Sequence, residues 1–424
     1  MSTSMIEELS WRGLLFDQTE GAAEHLGEGP KVAYIGFDPT SDSLHVGSLL
    51  PIMCLVHLQR HGHTPIALVG GATGMIGDPS GKSKERNLLD SDTLRSNIAG
   101  LKKQLSQFLK FDAVDNPAQL VNNYDWFGGL GFIQVLRDVG KHFPMSSMLN
   151  KESVKRRISA GGISYTEFSY MILQAYDFLH LHREFGCTFQ LGGSDQWGNI
   201  TAGTELIRRS VDARCHGVVM PLVTKANGEK FGKSLGGNVW LDPEKTSPYK
   251  FYQFWLNQAD EDALRFVKFF TLITEADYQQ LEADHREAPH LREAQRFLAR
   301  DVTLRVHGAD ALERAERATD ALFGGDVTAL TSDEIEEVFQ DVPSFSIEGD
   351  GEESPGILDC MVNVGMTKSK GEARRLVQGG GVRLNGEKVT DPQAKLDQWS
   401  GIENRLYVFR KGNKGYYVIR WTRA

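Results

Sequence analysis

The sequence predicts an α/β protein whose first domain is built on a doubly wound parallel sheet. Short apolar segments that stop at proline or glycine are repeatedly followed by segments whose apolar residues recur at helical spacing. The chain has 424 residues, beyond the roughly 250–300 at which one hydrophobic core stops growing, so two or three domains are expected. Ligands of a doubly wound sheet bind beyond the carboxyl ends of its strands. We therefore expect the functional residues in the turns at that edge.

The strands and helices of this first domain, expected over residues 1–228, follow from local patterning. The first three predicted strands stop at a proline or at a pair of glycines, which interrupt regular backbone. The predicted helices carry apolar residues every three or four positions. Strand, break and helix in succession are typical of a Rossmann-like domain. Strands are predicted at 31–38, 64–69, 187–191 and 218–223, and helices at 44–60 and 195–209.

Beyond this domain the patterning changes. Residues 229–245 are predicted to form a glycine-rich loop and a connection. From 246 to 323 the apolar residues keep helical spacing without a convincing strand, which predicts a helical domain. The segment 324–354 contains glycine, serine and proline and is expected to be a linker, in which 332–339 has the pattern of a short helix. A last domain is expected over 355–424.

Charge is distributed unevenly along the chain. The net charge is −9, yet Asp326 to Glu353 holds ten carboxylates and no lysine or arginine. From Ser354 to the end there are thirteen lysines and arginines against six acidic residues, a net charge of +7. An acidic linker before a basic module indicates a C-terminal part that meets a polyanion, and a solvated basic surface is the alternative.

The composition limits the compartment and the chemistry. There is no run of eighteen apolar residues, which excludes a membrane-spanning helix of ordinary length. The N-terminus lacks the basic start and apolar core of a signal peptide, so the cytoplasm is the expected compartment. Four cysteines lie far apart, without a CxxC pair. We therefore expect reduced thiols and no protein-bound metal or prosthetic group.

The first candidate site segment is the run HVGS at 45–48, at the start of the predicted helix. His45 and Ser48 are three residues apart and would share a helix face, while Gly47 omits a side chain where a base or ribose could lie close. A helix N-terminus also favours anions. Taken alone, the segment fits a surface histidine as well.

The second segment is GEKFGKSLGG at 228–237, in which Lys230 and Lys233 stand three apart among four glycines. A mobile cationic loop can follow phosphate charge as it develops in a transition state, although a solvated turn is the alternative. Together, and in this order, the two segments resemble the HIGH and KMSKS signatures of class I aminoacyl-tRNA synthetases.

The third segment is the predicted helix that begins at Ser164. Tyr170, Gln174 and Asp177 fall at i, i+4 and i+7 and form one polar stripe. No lysine or arginine occurs from Ile158 to His182, and the rest of the helix is largely apolar. This favours a stripe that faces a polar pocket over one that faces solvent. A carboxylate there can accept a hydrogen bond from a buried hydroxyl or bind an ammonium group.

With further motifs, the chain resembles the bacterial tyrosyl-tRNA synthetases over nearly its whole length. The resemblance implies a homodimer that joins L-tyrosine and ATP, carried with Mg²⁺, into tyrosyl-adenylate and then transfers tyrosine to the 3′ end of tRNA(Tyr). The additional motifs are YIGFDPT at 34–40, GMIGDPS at 74–80, NNYDW at 122–126 and GGSDQWGN at 192–199.

The resemblance also implies roles for individual residues. Tyr34 and Asp177 would hold the phenolic hydroxyl of tyrosine. The tyrosine α-amino group would be held by Asp78, Tyr170 and Gln174. The adenylate ribose and the tyrosyl carbonyl region would be met by Asp38, Gly193, Asp195 and Gln196, with Gly47 also on the ATP side. Around the ATP phosphates would lie Thr40, His45, Ser48, Lys82, Arg86, Lys230 and Lys233.

Two positions depart from the family pattern. Ser48 stands where the first signature commonly has histidine, and KFGKS replaces the general KMSKS. Serine can still donate one hydrogen bond, but with a shorter reach. Both lysines of the second signature are present.

The tail resembles a small α+β RNA-binding fold first seen in a ribosomal small-subunit protein. Lys368, Lys370, Arg374 and Arg375 would present a basic helix face to tRNA phosphates. In this family the module grips the tRNA and the helical domain reads the anticodon.

Two other interpretations compete with this one. The sister tryptophanyl enzyme shares fold and reaction, but the pair Asp177 and Tyr34 and the basic tail argue against it. A non-enzymatic RNA-binding protein that keeps a synthetase fold is the second, and the presence of His45 and both lysines argues against it.

Overall fold

The computed structural model describes most of the chain, which divides into two compact units. One comprises Met1–Ser247 and Phe254–Val306, and the other Pro248–Gln253 and His307–Ala424. In the described residues, no helix combines the length and apolar character needed to cross a membrane. These residues are 4–80, 90–112, 114–159, 161–228, 231–234, 237–322, 325–340, 342–349, 354–412 and 415–423.

The first unit is built on a six-stranded sheet. Its strands are β1 (Asp17–Gln18), β2 (Val32–Phe37), β3 (Thr64–Val69), β4 (Gln119–Asn122), β5 (Cys187–Gly193) and β6 (His216–Met220). Their order is β1-β6-β5-β2-β3-β4, with β1 antiparallel to β6 and the other neighbours parallel. The chain proceeds from β2 to β3 and β4 on one side and to β5 and β6 on the other. The order therefore reverses between β2 and β5, where doubly wound folds bind ligands.

Helices surround this sheet and extend the unit. Near the sheet they are α1 (Met5–Arg12), α2 (Ala22–Gly27), α3 (Leu49–Arg60), α4 (Thr73–Ile76), α5 (Ser91–Phe108), α6 (Tyr124–Phe127), α7 (Phe132–Asp138), α8 (Met145–Leu149), α9 (Glu152–Ser159), α10 (Tyr165–Phe185) and α11 (Trp197–Val211). A short hairpin follows, β7 (Lys233–Ser234) with β8 (Gly237–Asn238), and then α13 (Asp260–Phe270), α14 (Glu275–Glu287) and α15 (Glu293–His307), whose last residue belongs to the second unit. The first six residues of α12 (Pro248–Leu256) belong to the second unit and its last three to the first.

The predicted strands agree closely with the observed ones. The strand expected at 64–69 is β3 as predicted, while β5 extends through Gly192 and Gly193 because both pair with β6. The strand predicted at 218–223 is β6, which the structure places slightly earlier in the chain, at His216–Met220. The short strands β1 and β4 were not predicted, since two and four residues without alternation give no periodic signal.

The helix expected at 44–60 requires a correction, because α3 begins only at Leu49. His45 has extended backbone, and Val46–Ser48 forms a 3₁₀ turn ahead of the helix. The Nδ1 atom of His45 accepts a hydrogen bond from the Gly47 amide at 3.0 Å, which caps that turn. His45 and Ser48 therefore do not lie on one face of an α-helix.

The second unit is built on a five-stranded sheet. Its elements are α16 (Ala309–Leu322), α17 (Ser332–Val338), β9 (Ser344–Gly349), α18 (Ile357–Asn363), α19 (Lys370–Gln378), β10 (Val382–Leu384), β11 (Glu387–Lys388), β12 (Leu406–Lys411) and β13 (Gly415–Arg423). The strand order is β11-β10-β12-β13-β9, with β9 parallel to β13 and the other pairs antiparallel. One sheet face packs on α18 and α19, and the other on α16 and α17.

The acidic segment 324–354 differs from the linker that was expected. A capping box between Thr331 and Glu334 starts α17, whose Ile335 is fully buried, and β9 adds an edge strand to the sheet. The short helix predicted at 332–339 is confirmed as α17, whereas the strand β9 was not predicted. The helical character expected for 246–323 is confirmed in the described residues, whereas the proposed domain bounds remain a prediction.

Candidate active site

A cavity of about 230 Å³ opens in the first unit where the strand order reverses. Its walls come from β2, β5 and α10, together with the turns after β2 and β3. Eight of the residues predicted to bind tyrosine or ATP line it. They are Tyr34, Asp38, Asp78, Tyr170, Gln174, Asp177, Gly193 and Gln196.

The polar stripe of α10 faces this cavity. Ser164 caps the helix N-terminus and Gly186, in left-handed conformation, ends it. The spacing of Tyr170, Gln174 and Asp177 places all three on the cavity wall, and the first and last are buried.

Asp177 lies at the buried end of the cavity. Its carboxylate accepts hydrogen bonds from Asn123 Nδ2 at 3.0 Å and from Trp126 Nε1 at 2.9 Å. Burial raises the pKa of Asp177 to about 8, although the two donors act in the opposite direction. The cavity therefore contains a carboxyl group whose charge depends on what binds beside it.

Two other polar atoms at this end have no hydrogen-bond partner among the described residues. They are Tyr34 Oη and Gln190 Oε1, and both residues line the cavity at 1% and 2% exposure. Burial and the negative charge of Asp177 hold the pKa of the Tyr34 phenol well above its usual value. Because unsatisfied buried polar groups cost free energy, this end is suited to a ligand that carries a hydroxyl group.

Asp38 forms part of a second cluster, at the half-buried end. It accepts hydrogen bonds from Thr73 Oγ1 at 3.0 Å and from Tyr170 Oη at 2.9 Å. Thr73 in turn accepts from Asn123 Nδ2 at 3.0 Å, which links this cluster to Asp177. Gly70 is required here, because a Cβ atom would lie 2.4 Å from Asp38 Oδ1.

Asp78 is held by a separate set of donors. Gln196 Nε2 donates to it at 2.7 Å and the Ser80 amide at 2.9 Å. Asn199 Nδ2 lies within hydrogen-bond distance of both Gln174 Oε1, at 3.0 Å, and Gln196 Oε1, at 3.1 Å. Two carboxylates, Asp38 and Asp78, thus face one end of the cavity, where a cationic group of a ligand would be stabilised.

The HVGS segment does not line the cavity. The imidazole of His45 occupies the space that Gly47 leaves open, since a Cβ atom on Gly47 would lie 2.7 Å from His45 Cε1. The Gly47 amide donates to Nδ1, so a neutral His45 carries its proton on Nε2. Thr40 and Ser48 also lie outside the lining, whereas Asp195 adjoins Gly193, whose Cβ would be 2.7 Å from the Asp195 carboxylate.

The second signature is described only in part. Lys82, Arg86 and Lys230 lie outside the described residues, and of Lys233 only the backbone, in β7, is described. Phe231 is buried and stacks on Phe270 with ring centroids 5.3 Å apart, in an aromatic cluster with Trp255 and Phe266. The phenylalanine that stands at the methionine position of KMSKS is thus part of an aromatic cluster.

The four predicted RNA-contacting residues lie on or next to α19 in the second unit. Arg374 and Arg375 are exposed on that helix, and Lys370 is exposed at its start, with its Nζ 2.5 Å from Asp359. Lys368 precedes the helix. All four basic side chains are therefore exposed on or next to α19, and their contact with RNA stays a prediction.

Several site residues were missed by sequence reasoning. Asn123 and Trp126 belong to the NNYDW motif, but no role was predicted for them. The strand β4, which ends at Asn122, has no alternating pattern that would have placed the motif at the edge of the sheet. Thr73 and Gln190 were also missed. Gln190 stood out as the single amide within an apolar strand, and this was a usable signal.

Comparison with known families agrees with this architecture. Residues 27–324 match the model described as tRNA synthetases class I (W and Y), and residues 334–419 match the tyrosine–tRNA ligase SYY-like C-terminal domain. The chain therefore belongs to the class I tRNA synthetases of the W and Y group.

Individual relatives narrow this class. The tyrosine–tRNA ligase of Cytophaga hutchinsonii is 50% identical, covering 99% of this chain and 100% of the relative. The tyrosine–tRNA ligase of Bacillus caldotenax is 52% identical, with coverage of 99% and 100%. A C-terminally truncated mitochondrial tyrosyl-tRNA synthetase of Aspergillus nidulans matches with a TM-score of 0.69 at 30% identity, covering 76% of this chain and 95% of that structure.

Proposed function

We propose that this chain is a tyrosine–tRNA ligase that activates L-tyrosine with ATP and transfers it to tRNA(Tyr). The polar groups at the buried end of the cavity support tyrosine as the amino acid that binds there. There the Asp177 carboxyl group and the Tyr34 hydroxyl, which has no hydrogen-bond partner among the described residues, both line the cavity. A phenolic hydroxyl that donates to Asp177 and accepts from Tyr34 would satisfy both, and neither phenylalanine nor tryptophan carries one there.

The half-buried end is suited to the other end of the amino acid. We assign the tyrosine ammonium group to Asp78, Tyr170 and Gln174, with Gln196 beside them, and note that Asp38 adds negative charge close by. Both carboxylates accept hydrogen bonds from uncharged donors, and an ammonium ion is attracted to their negative charge. Tyrosine would thereby lie with its carboxylate towards Gly193 and Asp195.

The chemistry would then need no covalent bond to the protein. The tyrosine carboxylate attacks the α-phosphorus of ATP, the bond to pyrophosphate breaks, and tyrosyl-adenylate forms. We propose that Mg²⁺ accompanies ATP and that Asp38, Gly47, Gly193 and Asp195 contact the nucleotide. A terminal hydroxyl of tRNA then attacks the acyl carbon, and AMP leaves.

The groups proposed around the phosphates are Thr40, His45, Ser48, Lys82, Arg86, Lys230 and Lys233. His45 supports this role, because its Nδ1 is committed to Gly47 and its proton is on Nε2, which makes it a donor to an anion. The described part of the second signature adjoins it, since a Cβ atom on Gly232 would lie 3.3 Å from Val46. The catalytic roles of the lysines rest on the family resemblance.

We also propose that the enzyme is a cytoplasmic homodimer whose second unit binds tRNA through α19. Large apolar side chains stand exposed on α7 and α8 and at the start of α10, and such clusters mark association surfaces. They include Phe132 at 64% exposure, Ile133 at 74%, Met145 at 58% and Tyr165 at 64%. Sedimentation of Ile133→Asp should show monomers where the parent sediments as a dimer, and a dimeric variant would contradict this surface.

Exchange of ATP and pyrophosphate, measured with tyrosine, phenylalanine and tryptophan in turn, tests the proposed reaction. We expect exchange with tyrosine and very little with the other two. Exchange with none of them would contradict the enzyme assignment. Exchange supported best by tryptophan would contradict the assignment of tyrosine.

A further inference from the structure

Helix α5 does not line the cavity, yet one of its faces buries two amide side chains. Asn97 and Gln104 are buried, at 5% and 7% exposure, and Gly100 lies between them. Their spacing of three and then four residues places all three on one side. Buried amides are found mainly where they satisfy specific partners, so the partners of this face indicate its purpose.

All the partners belong to one loop. Asn97 Nδ2 donates to the Pro39 carbonyl at 2.9 Å. Gln104 Oε1 accepts from the Leu44 amide at 2.7 Å, and its Nε2 donates to Ser43 Oγ at 2.9 Å. The two amides therefore hold the loop 39–44 at both of its ends.

Gly100 contacts the middle of the same loop. A Cβ atom at this position would lie 1.9 Å from the carbonyl oxygen of Asp42, so only glycine lets the helix backbone approach so closely. The three residues of α5 thus contact the loop at its start, middle and end. Such a set of contacts fixes the position of a loop.

The opposite side of this loop is held by the chain that follows the β7–β8 hairpin. The Val46 amide donates to the Val239 carbonyl at 2.9 Å, and the Leu241 amide donates to the Leu44 carbonyl at 2.9 Å. Lys245 adds an ion pair with Asp42 at 2.5 Å. The loop is therefore clamped between α5 and the segment that leaves the second signature.

Three residues proposed to contact ATP lie in the clamped loop 39–44 or directly beside it. Asp38, which lines the cavity, immediately precedes it, and Thr40 and His45 lie in it or directly after it. None of these three residues is bonded to Asn97 or Gln104 directly. Any influence of α5 on the chemistry must therefore pass through the position of the loop.

We propose that Asn97, Gly100 and Gln104 are positioning residues that set the place of Thr40 and His45 relative to the ATP phosphates. This inference rests on the proposed function. Catalysis by oriented groups is sensitive to their position, and a displacement of about 1 Å can cost roughly 100-fold in rate. The residues proposed to bind tyrosine lie in β2, in α10 and in the turns after β3 and β5, outside the loop 39–44.

The substitution Gln104→Met tests the inference, since it removes both hydrogen bonds and keeps the side-chain volume. We expect kcat of tyrosine-dependent pyrophosphate exchange, per titrated active site, to fall about 10- to 100-fold, while KM for tyrosine stays unchanged. Gln107→Met makes the same change on the exposed side of α5 and should leave kcat at the parent value. If Gln104→Met does not fold, Asn97→Leu, which removes one bond at the other end of the loop, gives the same comparison.

A double-mutant cycle separates positioning from a purely structural role. If Gln104 acts through the loop, Gln104→Met should cost much less in kcat when His45 is already alanine, because one interaction cannot be lost twice. Equal costs in both backgrounds, or an unchanged kcat in Gln104→Met, would overturn the inference. A parent enzyme without tyrosine-dependent exchange would instead overturn the proposed function, so the two failures are distinguishable.

Discussion

The two ends of the cavity differ in how completely their polar groups are satisfied before a ligand binds. At the half-buried end, Asp38 and Asp78 each accept two hydrogen bonds from neutral donors. At the buried end, Asp177 is similarly held, but Tyr34 Oη has no partner among the described residues. The first end is preorganised for charge, whereas the second carries an unpaired group that a ligand hydroxyl would satisfy. Orientation and selectivity are thus assigned to different ends of the same cavity.

The largest loss of activity is expected from Asp177→Ala, at the buried end of the cavity. The variant loses the carboxyl group and leaves one N–H of the Asn123 amide and the indole N–H of Trp126 without their acceptor. Since such bonds contribute about 1.5–3 kcal/mol and orphaned partners add to the loss, kcat/KM for tyrosine should fall by about 10²–10³-fold. Steady-state pyrophosphate exchange measures this, with exposed Asp125→Ala as the control. Activity equal to the parent would remove Asp177 from the site.

A smaller loss is expected from Tyr170→Phe at the half-buried end. The variant removes the donor 2.9 Å from Asp38 and leaves the ring in place. One hydrogen bond to a carboxylate contributes about 1.5–3 kcal/mol, so kcat/KM should fall roughly 10- to 100-fold. Tyr176→Phe, six residues further along α10, should change little. Equal effects of the two substitutions would contradict the role assigned to the Tyr170 hydroxyl.

The raised pKa of Asp177 at the buried end predicts that the stability of the ligand-free protein depends on pH. Burial raises the pKa of Asp177 to about 8, so the folded ligand-free protein holds a proton that the unfolded chain releases near pH 4. Stability contributed by this proton is present below the unfolded pKa and is lost as pH rises towards 8. The melting temperature of the parent should therefore fall further between pH 5 and pH 9 than that of Asp177→Asn. Parallel pH profiles of the two proteins would show that Asp177 is ionised throughout.

The contrast also shows what sequence reasoning could reach. The stripe of Tyr170, Gln174 and Asp177 was predictable because helical periodicity is local and its neighbours lacked charge. Asn123 and Trp126 were not, since they follow a four-residue strand with no pattern and meet Asp177 from more than fifty positions away. The loop contacts of Gln104 are equally non-local. The parallel sheet was predictable for the opposite reason, because its buried strands are continuous apolar runs.

The segment 324–354 shows the same limit in the second unit. Its composition indicated a linker with a short helix at 332–339, and α17 buries Ile335 at 0% exposure, with Phe339 directly after the helix at 2%. A few apolar residues at helical spacing decide the packing of a short helix, whatever the charge of its solvent face. The helical spacing at 332–339 therefore predicted α17, whereas the composition gave no sign of β9, which pairs with the distant strand β13.

The smallest predicted change in activity comes from Tyr34→Phe, and it has opposite signs for binding and stability. Removing the hydroxyl should weaken tyrosine binding by about 2- to 10-fold, the value of one neutral hydrogen bond of about 0.5–1.5 kcal/mol. It should also stabilise the ligand-free protein, because the lost hydroxyl is buried without a partner among the described residues. Equilibrium binding of tyrosine and the melting temperature measure the two effects on one sample. Tyr170→Phe, whose hydroxyl is bonded to Asp38, should lower both quantities. If Tyr34→Phe also lowers the melting temperature, the Tyr34 hydroxyl is satisfied in the free protein, and the distinction between the two ends fails at its most specific point.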